Sequence, residues 1–217
     1  MTNRSEITRL PERGSRYRET INQILDAAYL AHVGLCVDGQ PFVIPMLFGR
    51  REDSLLLHGS SAGRLLRDLG TGMPACVTVT LVDGLVLARS AFHHSMNYRS
   101  VVAFGNARVI EPPRAKIEAL RTISEHMMPG RWADARGPNK RELSETTVLE
   151  MPIAEASAKA RRGPPADDDS DLGWPVWAGV LPLATAALAP IPDPTLADGV
   201  AVPDYIDRYA AARPAAA

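Results

Sequence analysis

The sequence has few cysteines, no excess of charge of one sign and no long apolar run. Its two cysteines, Cys36 and Cys76, lie in separate apolar segments and form no CxxC pair. We expect both to be buried free thiols in a reducing compartment. There is no HExxH motif and no His/Cys cluster at metal-ligand spacing, so the sequence predicts no metal site. The absence of GxGxxG, GxxxxGK[ST] and regular βαβ alternation argues against nucleotide-binding α/β folds.

Neither the charge balance nor the hydropathy suggests a protein that binds nucleic acid or a membrane. Lysine and arginine number 24 against 25 acidic residues, for a net charge of −1, which does not favour nucleic acid or anionic membranes. No segment approaches the roughly 18 apolar residues that span a bilayer. The polar start of the chain does not resemble a signal peptide. We therefore expect a cytoplasmic protein.

Short β-branched segments separated by turn signals predict an antiparallel sheet or barrel with flanking helices, an α+β fold. Asp38-Gly39 and Asp83-Gly84 are typical hairpin turns. Apolar residues at helical spacing predict helices over 17–29, 63–69 and 115–128. Residues 159–173, a basic run followed by acids, indicate a solvated loop. We predict an arm at 1–16, one domain at 17–185 and an Ala/Pro-rich tail at 186–217.

The segment 55–64, LLLHGSSAGR, is an apolar strand that ends in a small polar turn before a helix. Backbone N–H groups at a helix start, with Ser60, Ser61 and Arg64 beside them, could bind a phosphate group. The planar guanidinium of an arginine can donate two parallel hydrogen bonds to phosphate. A simple helix cap with a solvent-facing arginine is the alternative interpretation.

Six segments of the chain carry a family likeness: GQPFVIPMLF (39–48), LLLHGSSAGR (55–64), ARSAFHHSMNYRSVVAFGNARVI (88–110), PGR (129–131), SAKARRGPP (157–165) and WPVWAGVLP (174–182). Together they resemble the pyridoxamine-phosphate-oxidase-like, FMN-binding split-barrel proteins, and among them the nitroimidazole-reductase group. The resemblance implies an antiparallel split β-barrel and a homodimer with FMN in a groove between subunits.

The resemblance implies a phosphate site in which a second arginine joins the 55–64 turn. Ser60, Ser61 and Arg64 would bind the FMN phosphate, with Arg99 converging from a neighbouring strand. The pair Arg99-Ser100 stands where the family has Arg-Gln. A strand arginine that faces solvent is the alternative for Arg99.

The resemblance also implies contacts to the rest of the flavin. The ring would lie against Val43, Ile44, Pro45 and Met46, where a proline-broken strand can present backbone groups to it. Alternatively, Pro45 only protects an edge strand. Asn97 would hydrogen-bond to the ring or ribityl chain, or else cap a turn.

Three histidines and a tryptophan complete the candidate site. His58 would lie near the flavin, where it could position a substrate or donate a proton, or serve a structural role. His93 and His94 are adjacent and should point opposite ways, so we do not expect them to chelate a metal together. Trp177 would cover the flavin from the partner subunit or pack in a dimer core.

The resemblance implies two-electron redox chemistry at flavin N5, in which a small electron-poor acceptor such as a nitroaromatic or quinone is reduced. No nucleophile triad is evident in the sequence. The alternatives are oxidation of pyridoxamine phosphate, a deazaflavin- or haem-binding relative on the same barrel, and a flavin-binding protein without turnover.

Overall fold

The computed structural model describes residues 4–212, which form antiparallel strands and flanking α-helices, as the sequence predicts. The first three residues of the predicted arm and the last five of the tail lie outside the described residues. The strands are β1 (Gly14–Ser15), β2 (Leu30–Val37), β3 (Gln40–Arg51), β4 (Ser54–Ser60), β5 (Pro74–Leu87), β6 (Ser95–Asn106), β7 (Arg108–Val109), β8 (Thr146–Pro152), β9 (Glu155–Arg161) and β10 (Gly179–Pro182). The helices are α1 (Arg18–Asp26), α2 (Arg64–Gly70), α3 (Pro113–Met127), α4 (Arg131–Asp134), α5 (Lys140–Glu145) and α6 (Asp204–Ala211).

The strands form one sheet in the order β1-β9-β6-β5-β2-β3-β4-β8-β7, with β10 paired to β5 off this path. The sheet curls until β6 meets β8 without a ladder between them. At this seam a side chain on Gly105 would come within 3.1 Å of both the Met151 side chain and the Pro152 carbonyl. The predicted split β-barrel is thus confirmed.

The hairpin predicted at Asp38-Gly39 is confirmed. Both residues have positive φ, 50° and 79°, which suits the right-handed twist of the paired strands β2 and β3. Asp and Gly tolerate this conformation better than most residues. The turn fixes the register of the two strands, with Val33 opposite Ile44.

The hairpin predicted at Asp83-Gly84 is wrong. Strand β5 runs through both residues with a β-bulge between Val82 and Gly84, and β6 follows it along its whole length. Strand β10 pairs with the far end of β5 and explains the glycine, because a Cβ at Gly84 would lie 3.0 Å from the Leu181 carbonyl oxygen. A tertiary contact therefore overrides the local turn signal.

The core lies inside the barrel, and a smaller cluster lies outside it under α3. Leu55 and Leu57 point into the barrel, whereas Leu56 between them packs outward with Ile123 of α3. The approach of this helix is close, since a Cβ on Gly49 would lie 2.9 Å from the Ile123 Cα. Even-numbered residues of β4 therefore face α3.

Some expectations for local structure need correction. The start of the predicted loop at 159–173 belongs to strand β9, and part of the predicted arm forms β1 on the edge of β9. The predicted tail contains α6, whose Tyr205 accepts a hydrogen bond from Arg131 at 3.0 Å. Both cysteines are free, but neither is buried as expected, since Cys36 is exposed and Cys76 is half-buried. None of the helices within residues 4–212 has the length and apolar character to cross a membrane.

Candidate functional site

The turn between β4 and α2 uses most of its own backbone donors. The N–H of Ser61 donates to the Glu145 carbonyl at 2.8 Å, and the N–H groups of Ala62 and Gly63 donate to Ser60 at 3.2 and 2.9 Å. Helix α2 has only seven residues. Three turn amides are therefore not free for an anion, whereas no side chain within the described part of the chain caps the first turn of α2. The exposed hydroxyls of Ser60 and Ser61 and the Arg64 side chain also remain for an anion.

Arg64 is a weakly paired cation at the rim of the barrel. Its guanidinium lies 4.0 Å from the centre of the Phe42 ring, and its Nε is 3.8 Å from the Asp68 carboxylate. The side chain is 57% exposed. It lines a cavity of about 310 Å³ together with Phe42, Ile44 and Leu35. Because the one ion pair is long and solvent-screened, the guanidinium can still bind a ligand anion.

Arg99 has very different surroundings. It donates two hydrogen bonds to the Asp83 carboxylate, at 2.9 and 2.7 Å, and the hydrogen bond raises the pKa of Arg99. It lies opposite Leu81 on β5, whereas Leu35 beside Arg64 lies opposite Ala75, six residues away along that strand. Six residues of strand span about 20 Å. The single chain therefore does not bring Arg64 and Arg99 together, contrary to the expectation that they converge.

The four β3 residues expected at the flavin ring do not share a face. Val43 and Pro45 point outward on exposed sheet surface, and Val43 is 61% exposed. Ile44 and Met46 point the other way, Ile44 into the Arg64 cavity and Met46 against the core. Alternation along a strand makes this unavoidable. Only two of the four can therefore contact one flat ring placed on either side of the strand.

Three further residues expected at the flavin differ in their surroundings: Asn97 and Ser100 form hydrogen bonds within the chain, and Trp177 is exposed. Asn97 is buried, donates to the Gly163 carbonyl at 3.2 Å and accepts from Arg161, whose pKa is lowered by burial. The Ser100 hydroxyl donates to the Lys159 carbonyl across the β6–β9 ladder at 3.2 Å. Trp177 is 67% exposed. The first two side chains thus have partners within the chain.

His58 lies at the end of β4 on the α3 side and lines a cavity of about 420 Å³. Its Nδ1 is buried and has no hydrogen-bond partner among the described residues. Burial lowers the pKa of His58, so the imidazole is neutral at neutral pH. The other lining residues are mostly apolar and come from β3, α3 and the α4–α5 region: Leu47, Leu120, Ile123, Ser124, Met127, Trp132, Arg136, Pro138 and Glu142.

The α4–α5 part of this cavity was not predicted from the sequence. Arg136 pairs with Glu142 at 2.6 Å on its rim. Glu142 also closes a capping box with Asn139, by hydrogen bonds of 2.9 and 2.8 Å, which fixes the start of α5. The Asn-x-x-Glu spacing is a signal that could have located this helix start. It could not have shown that the helix packs beside His58.

His93 and His94 turn to different partners. His93 Nε2 lies 3.3 Å from an Asp168 carboxylate oxygen, and His94 Nδ1 lies 3.1 Å from the Ser90 carbonyl. Neither lines the His58 or Arg64 cavity.

Comparison with known proteins identifies the family. The pyridoxamine 5'-phosphate oxidase family profile matches residues 17–160. The structure of the flavocytochrome Anf3 from Azotobacter vinelandii is 42% identical, covers 95% of this chain and 96% of its own, and has a TM-score of 0.90. The FAD- and haem-binding protein from Mycobacterium smegmatis is 39% identical, with coverage of 90% and 96% and a TM-score of 0.87.

A 5-nitroimidazole antibiotic resistance protein from Bacteroides thetaiotaomicron is 25% identical over 67% of this chain and 85% of its own, with a TM-score of 0.56. The resemblance to the nitroimidazole group is thus weaker, in identity and in coverage, than that to the first two structures. No curated protein matches the chain. The profile covers most of the barrel and the 42% identical structure covers nearly the whole chain, so this protein belongs to the pyridoxamine 5'-phosphate oxidase family.

Proposed function

We propose that this protein binds a flavin along β3 and at the β4–α2 turn, and uses it to transfer electrons to a small acceptor. The observation that carries the proposal is the Arg64 guanidinium, a weakly paired cation beside exposed hydroxyls and exposed apolar strand surface. A flavin mononucleotide has a dianionic phosphate, a polar chain and a flat ring, which need these three kinds of surface. The flavin-binding names of two relatives at 42% and 39% identity support the same assignment.

The outer residues of β3 lead from the proposed ring site to His58. Val43, Pro45 and Leu47 share one face of the strand, and Leu47 lines the His58 cavity. A ring on this face would therefore have His58 at one end. The turn hydroxyls of Ser60 and Ser61 follow His58 by two and three residues. These hydroxyls lie between His58 and Arg64 in the sequence, so they would contact the polar chain that joins the ring to the phosphate.

The residues supply orientation, charge and a proton, while a bound flavin supplies two-electron chemistry at N5. Arg64 would neutralise phosphate charge. The apolar face of β3 and the lining of the His58 cavity would exclude water. The neutral His58 imidazole has one N–H and one lone pair, so it would relay a proton to a reduced acceptor by donating from one ring nitrogen while the other accepts a proton from solvent.

We further propose that the flavin is FMN, that the acceptor is electron-poor, of the nitroaromatic or quinone class, and that the protein is a homodimer. The Arg64 guanidinium, the Ser60 and Ser61 hydroxyls and the apolar residues of β3 would contact the phosphate, the ribityl chain and the ring, all of which belong to the mononucleotide part of a flavin. The 25% identical nitroimidazole resistance protein supports the acceptor class. Exposed apolar side chains support a partner subunit, among them Val43, Trp174 and Trp177.

A flavocytochrome is the second candidate, in which a haem rather than a free small molecule accepts the electrons. The two relatives named as a flavocytochrome and as a FAD- and haem-binding protein favour it, since each covers at least 90% of this chain. FAD would then replace FMN. Both candidates share the flavin and differ in the acceptor.

The test begins with the spectrum and mass of whatever copurifies with the full chain. Oxidised flavin bands with an FMN or FAD mass support the proposal, and an added Soret band selects the flavocytochrome. Anaerobic photoreduction followed by mixing with a nitroimidazole or a benzoquinone should then reoxidise the flavin. His58→Asn should retain flavin and slow this step. A chain that takes up neither FMN nor FAD on reconstitution would refute flavin binding.

A further inference from the structure

The acidic segment 167–171 is not a free surface loop, because it is fastened to the turn that carries His93. Asp167 accepts hydrogen bonds from the Arg89 N–H at 2.8 Å and from the Arg89 guanidinium at 2.9 Å. Its side chain is 2% exposed. Burial opposes ionisation of Asp167, but these hydrogen bonds outweigh it and lower the pKa of its carboxyl group. The loop that follows is thus held in a fixed place.

This attachment brings three metal-ligating groups together from distant parts of the chain. One ligand atom each from His93, Asp168 and Asp171 lies within 4.8 Å of the other two. The His93 Nε2 to Asp168 carboxylate distance is 3.3 Å. Two ligands bound to one tetrahedral Zn²⁺ at 2.0–2.1 Å are separated by about 3.4 Å. The imidazole and the first carboxylate therefore already stand at the spacing that such an ion requires.

Among the described residues, no lysine or arginine neutralises the carboxylates at this position. Asp167 has Arg89 as its partner, but Asp168 and Asp171 form no ion pair with a lysine or arginine among residues 4–212. Asp171 is half-buried rather than fully solvated. Asp168 is 73% exposed, but a half-buried carboxylate such as that of Asp171 without a counter-charge raises the energy of the folded chain, and a bound cation would relieve this.

We propose that His93, Asp168 and Asp171 bind a divalent first-row transition ion of the Zn²⁺ type. The imidazole is the discriminating ligand, because Mg²⁺ and Ca²⁺ prefer oxygen donors and nitrogen suits the transition ions. Three protein ligands leave positions for water. The ion would join the 3-10 turn at Ala91–His93 to the 3-10 turn at Asp169–Asp171. It would thereby fix the chain just before Trp174 and Trp177.

The test is isothermal titration of the untagged, chelator-treated full chain with ZnCl₂, with MgCl₂ as the oxygen-preferring control. We expect one saturable Zn²⁺ site and no Mg²⁺ site at the same concentrations. Zinc should also raise the melting temperature of the chain, because an ion that binds only the folded state stabilises it.

Three variants make the test specific. Since loss of a group that merely supports a ligand already costs 10- to 100-fold in metal affinity, Asp171→Asn and His93→Gln should each weaken Zn²⁺ binding roughly tenfold or more. Asp169→Asn removes an exposed charge from the same loop and is the matched control, expected to change the affinity less than about twofold. Circular dichroism checks that each variant is folded. Equal weakening by Asp169→Asn, or no saturable Zn²⁺ binding below roughly 100 µM, would overturn the proposal.

Discussion

Arg64 and Arg99 are chemically identical side chains in opposite situations. Arg64 is 57% exposed and stands 3.8 Å from its carboxylate partner, whereas Arg99 is 32% exposed and makes a two-pronged pair with Asp83. A guanidinium matched to a carboxylate must break that pair before it can bind another anion. The comparison indicates that Arg64 is available for ligand and that Arg99 holds β5 and β6 together.

The largest expected effect is that of Arg64→Ala on flavin affinity. Since a hydrogen bond to a charged group contributes about 1.5–3 kcal/mol, affinity should fall roughly 10- to 100-fold. The unfolding free energy of the flavin-free chain should change little, because the side chain is exposed. Fluorescence titration with FMN and with FAD measures the affinity.

The matched control is Arg67→Ala, which removes an exposed arginine from the same helix. It should leave the affinity within about twofold of the original, since a solvated charge away from the site contributes little. If both variants weaken binding equally, the effect is general electrostatics and Arg64 makes no specific contact.

Next in size is the effect of Arg99→Ala on stability. The pair with Asp83 is partly exposed, so we expect the unfolding free energy to fall by about 0.5–1 kcal/mol. Urea unfolding of the single variants and the double variant with Asp83→Ala isolates the pair energy. Flavin affinity should stay within about threefold of the original, since little of a screened pair's energy can reach a site about 20 Å away. A loss of flavin affinity as large as that from Arg64→Ala would contradict the assigned difference between the two arginines. It would mean that Arg99 contacts the phosphate, and that it does so from a partner subunit.

The smallest effect should come from Asp68→Asn. This carboxylate competes with a ligand anion for Arg64 at 3.8 Å, so its removal should tighten flavin binding about two- to threefold. The gain should shrink as salt is added, because the competition is electrostatic. Weaker binding would mean that Asp68 positions Arg64 rather than competes for it.

Local signals predicted the strands and helices well. Asp38-Gly39 determines its own conformation, and the apolar stripe of α1 buries Ile21, Ile24 and Leu25 as helical spacing requires. Contacts distant in sequence account for the errors. Asp83-Gly84 is a turn signal that β10 and Arg99 convert into a bulge within a long strand.

In the candidate site, too, the features formed by residues adjacent in sequence were predicted, and those formed by contacts between separate elements were not. The strand-turn-helix at 55–64 was recognised because its parts are adjacent in sequence, and the structure places Ser60, Ser61 and Arg64 there. The pairing of Arg99 with Asp83 and the packing of Trp132 beside His58 depend on how separate elements meet. No spacing within the chain encodes such meetings, so they became visible only in three dimensions.

The two-residue strand β1 pairs with Lys159 and Ala158 on the outer side of β9. The unpaired N–H and C=O groups of an edge strand can hydrogen-bond to a strand of another polypeptide. A short strand that covers the edge makes part of it inaccessible to such pairing. The segment predicted to be an arm therefore covers part of a sheet edge and should protect the chain against edge-to-edge association.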